Sequence, residues 1–225
     1  MKIKKIDTIE EAYYDKYIDL YHGTPYKKAM EDIVKNGLDA NRAISSSGGS
    51  DSMPSIKDKN YFAKDLWDSA RYAVLMAGNE EYGYVMKFRV KESELTADED
   101  PLGSEIWNYL HNGKKPSFDI QLINYLPDEL VKEIENDDKG YYDRNSKAGR
   151  DLFNFLTKEE HNKIVRNSRT ATIDKNIKPV KVYKIKRPDK KLLDEWNNLH
   201  SRNEKTFMDS FKEYVRSNTK IYQIK

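Results

Sequence analysis

The sequence predicts an α+β fold, and three observations lead to this prediction. A strand-like run, Ile18 to His22, is followed by a Gly-Thr-Pro turn and then by apolar residues at helical spacing. A second strand, helix and strand follow between residues 60 and 90, and two more strand-like runs lie within residues 170–185. No internal repeat is visible, so the pattern indicates one mixed architecture.

The first helix is bounded by residue types that favour helix ends. Thr24 is a residue type that caps helices, Pro25 suits the first helical position, and Asn36-Gly37 stops the apolar repeat. We therefore predict a helix that is capped by Thr24, begins at Pro25 and ends at Asn36.

A long loop is predicted after this helix. Residues 41–55, NRAISSSGGSDSMPS, are too rich in Ser and Gly to hold a packed element, and loops of this length often cover ligands. Beyond the loop, Asn60 to Ala63 predicts a strand and Asp65 to Met76 predicts a helix. The alternation in Gly83 to Val90 predicts a half-buried strand.

The second half combines helices with the two late strands. Residues 98–166 predict a mainly helical insertion or lid, and TATID (170–174) and PVKVYKI (179–185) predict strands. The C-terminal tail, residues 189–225, predicts one long amphipathic helix with apolar residues from Leu192 to Val215. Residues 1–225 are predicted to form a single domain with these two additions.

Composition limits the class of protein. The 225 residues are 37% hydrophobic and 35% charged, but 16 Tyr, 7 Phe and 3 Trp supply enough apolar area for a core. The absence of cysteine excludes disulfides and thiolate chemistry. Lys and Arg number 40 against 38 Asp and Glu, so overall charge does not indicate a polyanionic partner. No run suits a signal peptide or a membrane span, which predicts a cytoplasmic protein.

The candidate site is built from a histidine, a serine and two tyrosines. His22 ends the first strand and precedes Gly23, where a ligand can approach the main chain closely. Ser69 and Tyr72 are three residues apart on the predicted helix and share a face. With Tyr61 from the preceding strand they could form a slot for a flat aromatic amide, in which two rings stack and a hydroxyl bonds. Each residue taken alone also fits ordinary packing in a Tyr-rich protein.

The order of these residues resembles that of a known family. His22-Gly23-Thr24, Tyr61-Phe62-Ala63 and Ser69-Ala70-Arg71-Tyr72 are similar to the motifs of the ADP-ribosyltransferase superfamily, in its diphtheria-toxin-like and poly(ADP-ribose)-polymerase-like branch. The intervals of eleven residues between the tyrosines and eight from Tyr61 to Ser69 match that pattern. The resemblance covers residues 19–90 well and residues 170–185 loosely, and it implies a split β-sandwich core.

The resemblance implies that NAD⁺ is a substrate. His22 would bond a hydroxyl of the adenosine ribose, the backbone of Gly23 and the hydroxyl of Ser69 would hold the nicotinamide carboxamide, and Tyr61 and Tyr72 would sandwich the nicotinamide ring. Departure of nicotinamide leaves oxocarbenium-like charge at the anomeric carbon, and such chemistry depends on positioning and charge stabilisation. No metal is implied.

Other parts of the family pattern bear on cofactor binding and catalysis. Thr24 belongs to the implied NAD⁺-binding set. Arg42 lies at the place of the family's donor loop. It is a candidate contact for the diphosphate or the adenosine, and the alternative is an ordinary surface arginine. Many family members carry a glutamate on a late core strand, where this chain has Arg169, Thr170 and Thr172. We take Arg169 and Thr170, together with His22 and Tyr61, as the candidate catalytic positions. The missing glutamate favours transfer of a single ADP-ribose.

The sequence leaves alternatives open for the acceptor of ADP-ribose and for the function of the chain. Segments that mix basic and aromatic residues, such as VYKIKRPDKK (182–191), fit either a nucleic-acid contact or a solvated surface. The resemblance to intracellular toxins and phage-defence proteins favours a nucleic-acid acceptor, such as RNA, over protein and implies an antitoxin or inhibitor as partner. The alternatives are an NAD or ADP-ribose binding module without catalysis, an RNA 2′-phosphotransferase-like enzyme, and an interaction protein whose tail, Leu192 to Val215, docks a partner.

Overall fold

The structure is a computed structural model of the chain, and it describes residues 16–39, 60–76, 80–97, 99–114, 120–157, 170–173 and 175–222. These residues fall into two compact units. The first unit lies within residues 1–16, 40–61 and 91–175, and the second within residues 17–39, 62–90 and 176–225. The expectation of a single domain with a helical insertion stays a prediction.

The described chain combines helices with antiparallel strands, which confirms the predicted α+β class. In chain order the elements are β1 (Tyr17–Thr24), α1 (Lys27–Asn36), β2 (Asn60–Ala63), α2 (Leu66–Leu75), β3 (Tyr82–Lys91), β4 (Thr96–Ala97), α3 (Glu99–Asn112), α4 (Asp128–Glu135), α5 (Lys147–Leu156), β5 (Thr170–Ile173), β6 (Lys181–Lys186), α6 (Lys190–Arg202), α7 (Glu204–Asn218) and β7 (Thr219–Tyr222). None of the described helices has both the length and the apolar character needed to cross a membrane.

The strands of the second unit follow one another in the order β2, β1, β3, β6, β7. β1 pairs antiparallel with β2, with Tyr21 opposite Ala63. β3 pairs antiparallel with β6, and β6 pairs antiparallel with β7. Strand β7 is a correction, because the sequence pattern placed its residues inside the tail helix.

One face of this sheet is covered by α2, α6 and α7. The side chains buried between these elements are small, aliphatic or aromatic: Ala70, Ala73, Val74, Val85, Ile185, Trp196, Phe207, Phe211 and Val215. The ring of Trp196 meets those of Phe207 and Phe211 edge to face, with centroids 6.1 and 5.6 Å apart, an arrangement that aromatic pairs prefer. The tail is therefore part of the core of the second unit.

The tail is two helices, and the prediction of one long helix is wrong. α6 ends at Arg202 and α7 begins at Glu204. Between them, Asn203 has extended backbone, and its side chain accepts a hydrogen bond from the N–H of Thr206 at 3.0 Å. Asn at this position caps a helix by satisfying an N–H of the first turn. The apolar repeat conceals the break because both helices bury their apolar sides in one cluster.

The burial of the tail also bears on the interaction-protein alternative. That alternative requires the apolar face from Leu192 to Val215 to be exposed for a partner. Trp196, Phe207 and Phe211 are instead at most 3% exposed within the second unit. This apolar face is occupied inside the fold, so it does not supply a docking surface.

The start of α1 also differs from the prediction. Thr24 is the last residue of β1 and does not cap the helix; its hydroxyl accepts a hydrogen bond from the N–H of Tyr26 at 3.2 Å. The helix begins at Lys27, whose N–H donates to both carboxylate oxygens of Glu80 at 3.0 and 2.9 Å. A carboxylate at a helix N-terminus is favoured by the helix dipole. Because Glu80 is 53 residues away, local pattern does not reveal it.

Three helices of the first unit lie within the predicted helical segment, residues 98–166. α3, α4 and α5 bury a shared cluster that includes Trp107, Tyr142 and Leu152. The indole N–H of Trp107 donates to the carbonyl oxygen of Lys139 at 3.0 Å. In the same unit, β4 pairs antiparallel with β5.

Replacing Phe211 tests whether the tail is a core element. Phe211→Ala removes a fully buried ring, and we expect the free energy of unfolding of the second unit to fall by about 3–5 kcal/mol. Urea denaturation followed by tryptophan fluorescence measures the change. Glu213→Ala, at an exposed position of the same helix, is the control and should stay within about 0.5 kcal/mol. A similar small loss for both variants would show that the tail does not pack on the sheet.

Candidate nicotinamide-binding site

The backbones of β1 and α2 touch at Gly23. A Cβ atom on this residue would lie 2.1 Å from the carbonyl oxygen of Ser69 and 3.3 Å from the backbone nitrogen of Ala73. Distances this short exclude every side chain, so only glycine permits the helix to come this close to the strand. Two members of the predicted site, Gly23 and Ser69, are therefore in direct contact.

A second glycine contact and an arginine hold the C-terminal half of α2. A Cβ atom on Gly83 of β3 would lie 2.2 Å from the carbonyl oxygen of Ala73. Arg187 donates through Nε to the carbonyl oxygen of Val74 at 3.2 Å and through Nη2 to that of Met76. These bonds satisfy carbonyls that a helix end leaves without intrahelical partners. The position of α2 is thus set by main-chain contacts with two strands.

Ser69 and Tyr72 lie on α2, as predicted. The helix begins after Asp65, whose side chain caps it by accepting from the N–H of Asp68 at 2.9 Å. Ser69 is 4% exposed and Tyr72 is 41% exposed. Among the described residues no group bonds to the Ser69 hydroxyl, and its oxygen is not one of the fully buried polar atoms that lack a partner. The helix therefore carries this hydroxyl three residues from a partly exposed phenol ring.

His22 projects from the opposite face of β1. Because Gly23 faces α2, strand alternation turns the neighbouring His22 side chain to the other side of the sheet. There its ring approaches the ring of Phe62 edge-on, with centroids 6.3 Å apart, and Phe62 meets Phe88 at 5.1 Å. A single small ring cannot contact both the imidazole and the Ser69 hydroxyl. A ligand with two linked parts that extends past the end of β1 can contact both groups.

The other predicted site residues are placed less completely. Tyr61 is half-buried on β2 and belongs to the first unit, whereas the next residue, Phe62, belongs to the second. Thr170 is the first residue of β5, in the first unit. Arg42 and Arg169 lie outside the described residues. Their roles, and the sandwich of two tyrosine rings, stay predictions.

An ion cluster links β1 to β3 on the face that carries α2. A carboxylate oxygen of Asp19 lies 2.5 Å from Nζ of Lys87, and the other lies 3.2 Å from Nε of Arg89. The hydrogen bond from Lys87 is the main reason that the pKa of Asp19 is lowered. The same bond raises the pKa of Lys87. Both groups therefore stay charged at neutral pH.

Sequence reasoning missed the role of Glu80 near the turn after His22-Gly23-Thr24. Besides binding the first N–H of α1, its carboxylate lies near the hydroxyl of Tyr84. Burial, with this carboxylate as a smaller contribution, raises the pKa of Tyr84 to about 12. Tyr84 is therefore a neutral phenol at physiological pH. The long separation in sequence leaves no local signal for this arrangement.

Comparison with known proteins does not assign the chain to a family. No family model matches it, and neither the curated proteins nor the solved structures show a significant similarity to it. Within the described residues, no group of three or more His, Asp or Glu side chains is arranged to hold a metal ion. The ADP-ribosyltransferase resemblance is therefore carried by the motif residues alone.

Substitution of Gly23 tests the contact between strand and helix. We expect Gly23→Ala to lower the free energy of unfolding by about 1–3 kcal/mol or more, because the methyl group would overlap the carbonyl oxygen of Ser69. The loss is measured from the shift in the urea midpoint, with the slope of the free energy of unfolding against urea concentration unchanged. Gly140→Ala is the control, since a Cβ atom there meets nothing within 4 Å, and it should be neutral or slightly stabilising. Equal stability of the two variants would contradict the contact.

Proposed function

We propose that this chain is an NAD⁺-dependent mono-ADP-ribosyltransferase with the split β-sandwich core of the diphtheria-toxin-like and poly(ADP-ribose)-polymerase-like branch. It would release nicotinamide and transfer one ADP-ribose to a macromolecular acceptor. The observation that carries the proposal is the contact between Gly23 and Ser69. The motifs assign both residues to the nicotinamide carboxamide, and the fold brings them together from distant parts of the chain.

The nicotinamide half would bind at the contact of Gly23 with α2. A carboxamide both donates and accepts hydrogen bonds, and the Ser69 hydroxyl can take either role. Tyr72 would stack on the nicotinamide ring, and Tyr61 would cover the opposite side of that ring. Because the ring is cationic in NAD⁺, stacking on a phenol gains a cation–π contribution.

The adenosine half would bind on the other side of the strand end. There His22 would bond a hydroxyl of the adenosine ribose, beside the turn that begins with Thr24. The placement of His22 and Ser69 on opposite faces of β1 favours a dinucleotide, whose halves are joined by a diphosphate. Arg42 would contact this diphosphate or the adenosine.

The transfer step needs no redox change. The bond between the ribose C1′ and the nicotinamide nitrogen breaks, and its electron pair leaves with neutral nicotinamide. Oxocarbenium-like charge develops at C1′ until an oxygen or nitrogen of the acceptor attacks and loses its proton to solvent. Arg169 and Thr170 stand where family members carry the acceptor-activating glutamate, so the chain would use an acceptor that is already nucleophilic. The protein's contribution is positioning and electrostatic stabilisation.

The biological setting belongs to the same proposal. A nucleic acid such as RNA is preferred to a protein as acceptor, and the setting would be a cytoplasmic toxin or defence effector controlled by an antitoxin. Since the apolar side of the tail is buried in the second unit, an inhibitor would have to bind another surface.

A binding module for NAD⁺ or ADP-ribose without catalysis is the second candidate. This candidate is favoured because Thr170 is the first residue of β5, whereas the family pattern has a glutamate on a late strand. The module would raise its melting temperature with NAD⁺ and release no nicotinamide. An RNA 2′-phosphotransferase-like activity would instead remove a 2′-phosphate from RNA when NAD⁺ is present.

The Tyr72 ring supplies the direct test of the proposal. With NAD⁺ and mixed RNA, DNA and protein from cells, we expect nicotinamide release and one ADP-ribose adduct on one class of acceptor. Tyr72→Ala should lower kcat/KM for nicotinamide release by about 10- to 100-fold, since stacking contributes about 1–3 kcal/mol. Tyr72→Phe keeps the ring and should retain most activity. Absence of nicotinamide release by the unaltered chain would refute the transferase, and equal losses in both variants would refute the stacking role.

Ser69→Ala separates a ligand contact from a structural role. Because the hydroxyl bonds to no described residue, its removal should not lower the urea midpoint, whereas a structural hydrogen bond would contribute about 1 kcal/mol. The KM for NAD⁺ should rise by about 3- to 10-fold through loss of the carboxamide bond. Loss of stability with unchanged KM would assign the hydroxyl to folding instead. Ser217→Ala, at an exposed position of α7, is the matched control.

A further inference from the structure

Three lysines share one face of the paired strands β6 and β7. Lys184 lies directly opposite Lys220, and Lys186, two residues along β6, projects from the same face. Like charges placed opposite one another destabilise a sheet. In the described part of the chain, none of the three lysines forms an ion pair with a carboxylate. We call Lys184, Lys186 and Lys220 the lysine cluster.

A second pair of facing lysines shows that the chain supplies an acid elsewhere. Lys87 and Lys181 are also directly opposite each other, across β3 and β6. This pair lies on the other face of the sheet, where Lys87 binds the carboxylate of Asp19 at 2.5 Å. Repulsion between lysines is therefore relieved by a paired acid in one place, whereas no described carboxylate forms an ion pair with the lysine cluster. Such a concentration of positive charge is suited to an anionic ligand.

An aromatic ring adjoins the lysine cluster. Nζ of Lys184 lies 3.7 Å from the centroid of the Tyr82 ring, and Tyr82 is directly opposite Lys186. The hydrogen bond of the Tyr82 hydroxyl with the Glu81 carboxylate raises the pKa of Tyr82. This carboxylate therefore interacts with the phenol. The ring itself is partly exposed.

We propose that the lysine cluster and Tyr82 bind single-stranded nucleic acid. Lysines neutralise phosphates along a nucleic-acid backbone, and exposed aromatic rings stack on bases. A duplex keeps its bases stacked inside, so a phenol ring beside a phosphate site serves a strand with unpaired bases. That this strand is also the acceptor of ADP-ribose rests on the proposed transferase function, whereas the binding itself does not.

The test is binding of a fluorescein-labelled 20-nucleotide oligouridine to the full chain, measured by anisotropy between 50 and 300 mM salt. The triple variant Lys184→Gln, Lys186→Gln, Lys220→Gln should bind at least about tenfold more weakly at low salt. The slope of log affinity against log salt should fall by about 2, because each phosphate contact on a single strand contributes about 0.7. Tyr82→Ala should weaken binding without changing this slope.

The matched control removes the same charge from other exposed positions. Lys28→Gln, Lys35→Gln, Lys205→Gln also lowers the net charge by three and should leave the slope within experimental error. Equal weakening by both triple variants would overturn the site, since general charge would explain the binding. Tighter binding to a 20-base-pair duplex would overturn the preference for a single strand. Displacement of the oligonucleotide by polyglutamate at equal charge would overturn the preference for nucleic acid. A melting temperature that does not fall confirms that the lysine variant folds.

Nicotinamide release separates this inference from the proposed function. If the lysine variant cleaves NAD⁺ in the absence of RNA but no longer labels the oligonucleotide, both are supported. If the unaltered chain binds the oligonucleotide but releases no nicotinamide, the transferase fails and the binding surface stands. If nicotinamide is released and no oligonucleotide binds, the binding surface fails and the transferase stands.

Discussion

A contact between main chains organises the second unit. At Gly23 and Gly83 the backbone of α2 lies against β1 and β3 with no room for a methyl group. The helix cannot move away from the strands without losing this contact, and it cannot move closer. Ser69 and Tyr72 therefore have a set position relative to the end of β1. Small residues such as Ala70 on the same helix are buried with the tail, so one helix connects the candidate site to the core.

Packing alone accounts for Gly23, because the approach of α2 requires a glycine whether or not a ligand binds. The His-Gly-Thr motif is thus weaker support for NAD⁺ binding than its order in the sequence suggests. Packing does not account in the same way for the Ser69 hydroxyl, which bonds to no other described residue. Its oxygen is not one of the fully buried polar atoms without a partner, so no desolvation penalty is attached to it. The position of this hydroxyl beside Gly23, rather than the glycine alone, therefore supports the proposed site.

Local pattern was sufficient for most elements near the site. The strand at His22, the strand at Tyr61 and the helix of Ser69 and Tyr72 lie where periodicity and turn residues predict them, because their signals are confined to a few neighbouring positions. The errors occur where a distant residue decides. α1 starts at Lys27 because Glu80 binds its first N–H, and the apolar repeat of the tail hides the cap at Asn203. The placement of His22 and Ser69 on opposite faces follows from strand alternation only once Gly23 is known to face the helix.

The pairing of β7 with β6 affects when the protein can fold during synthesis. Strand β6 receives its second neighbour, β7, and the sheet two of its three covering helices, α6 and α7, from residues 190–222. A nascent chain that ends before these residues leaves Val85 and Ile185 without the aromatic side chains that bury them. Domains generally fold as units as they emerge from the ribosome. The second unit should therefore mature late, after its C-terminal strand has left the exit tunnel, and a prematurely terminated polypeptide would expose an unpaired strand edge and become a substrate for proteolysis.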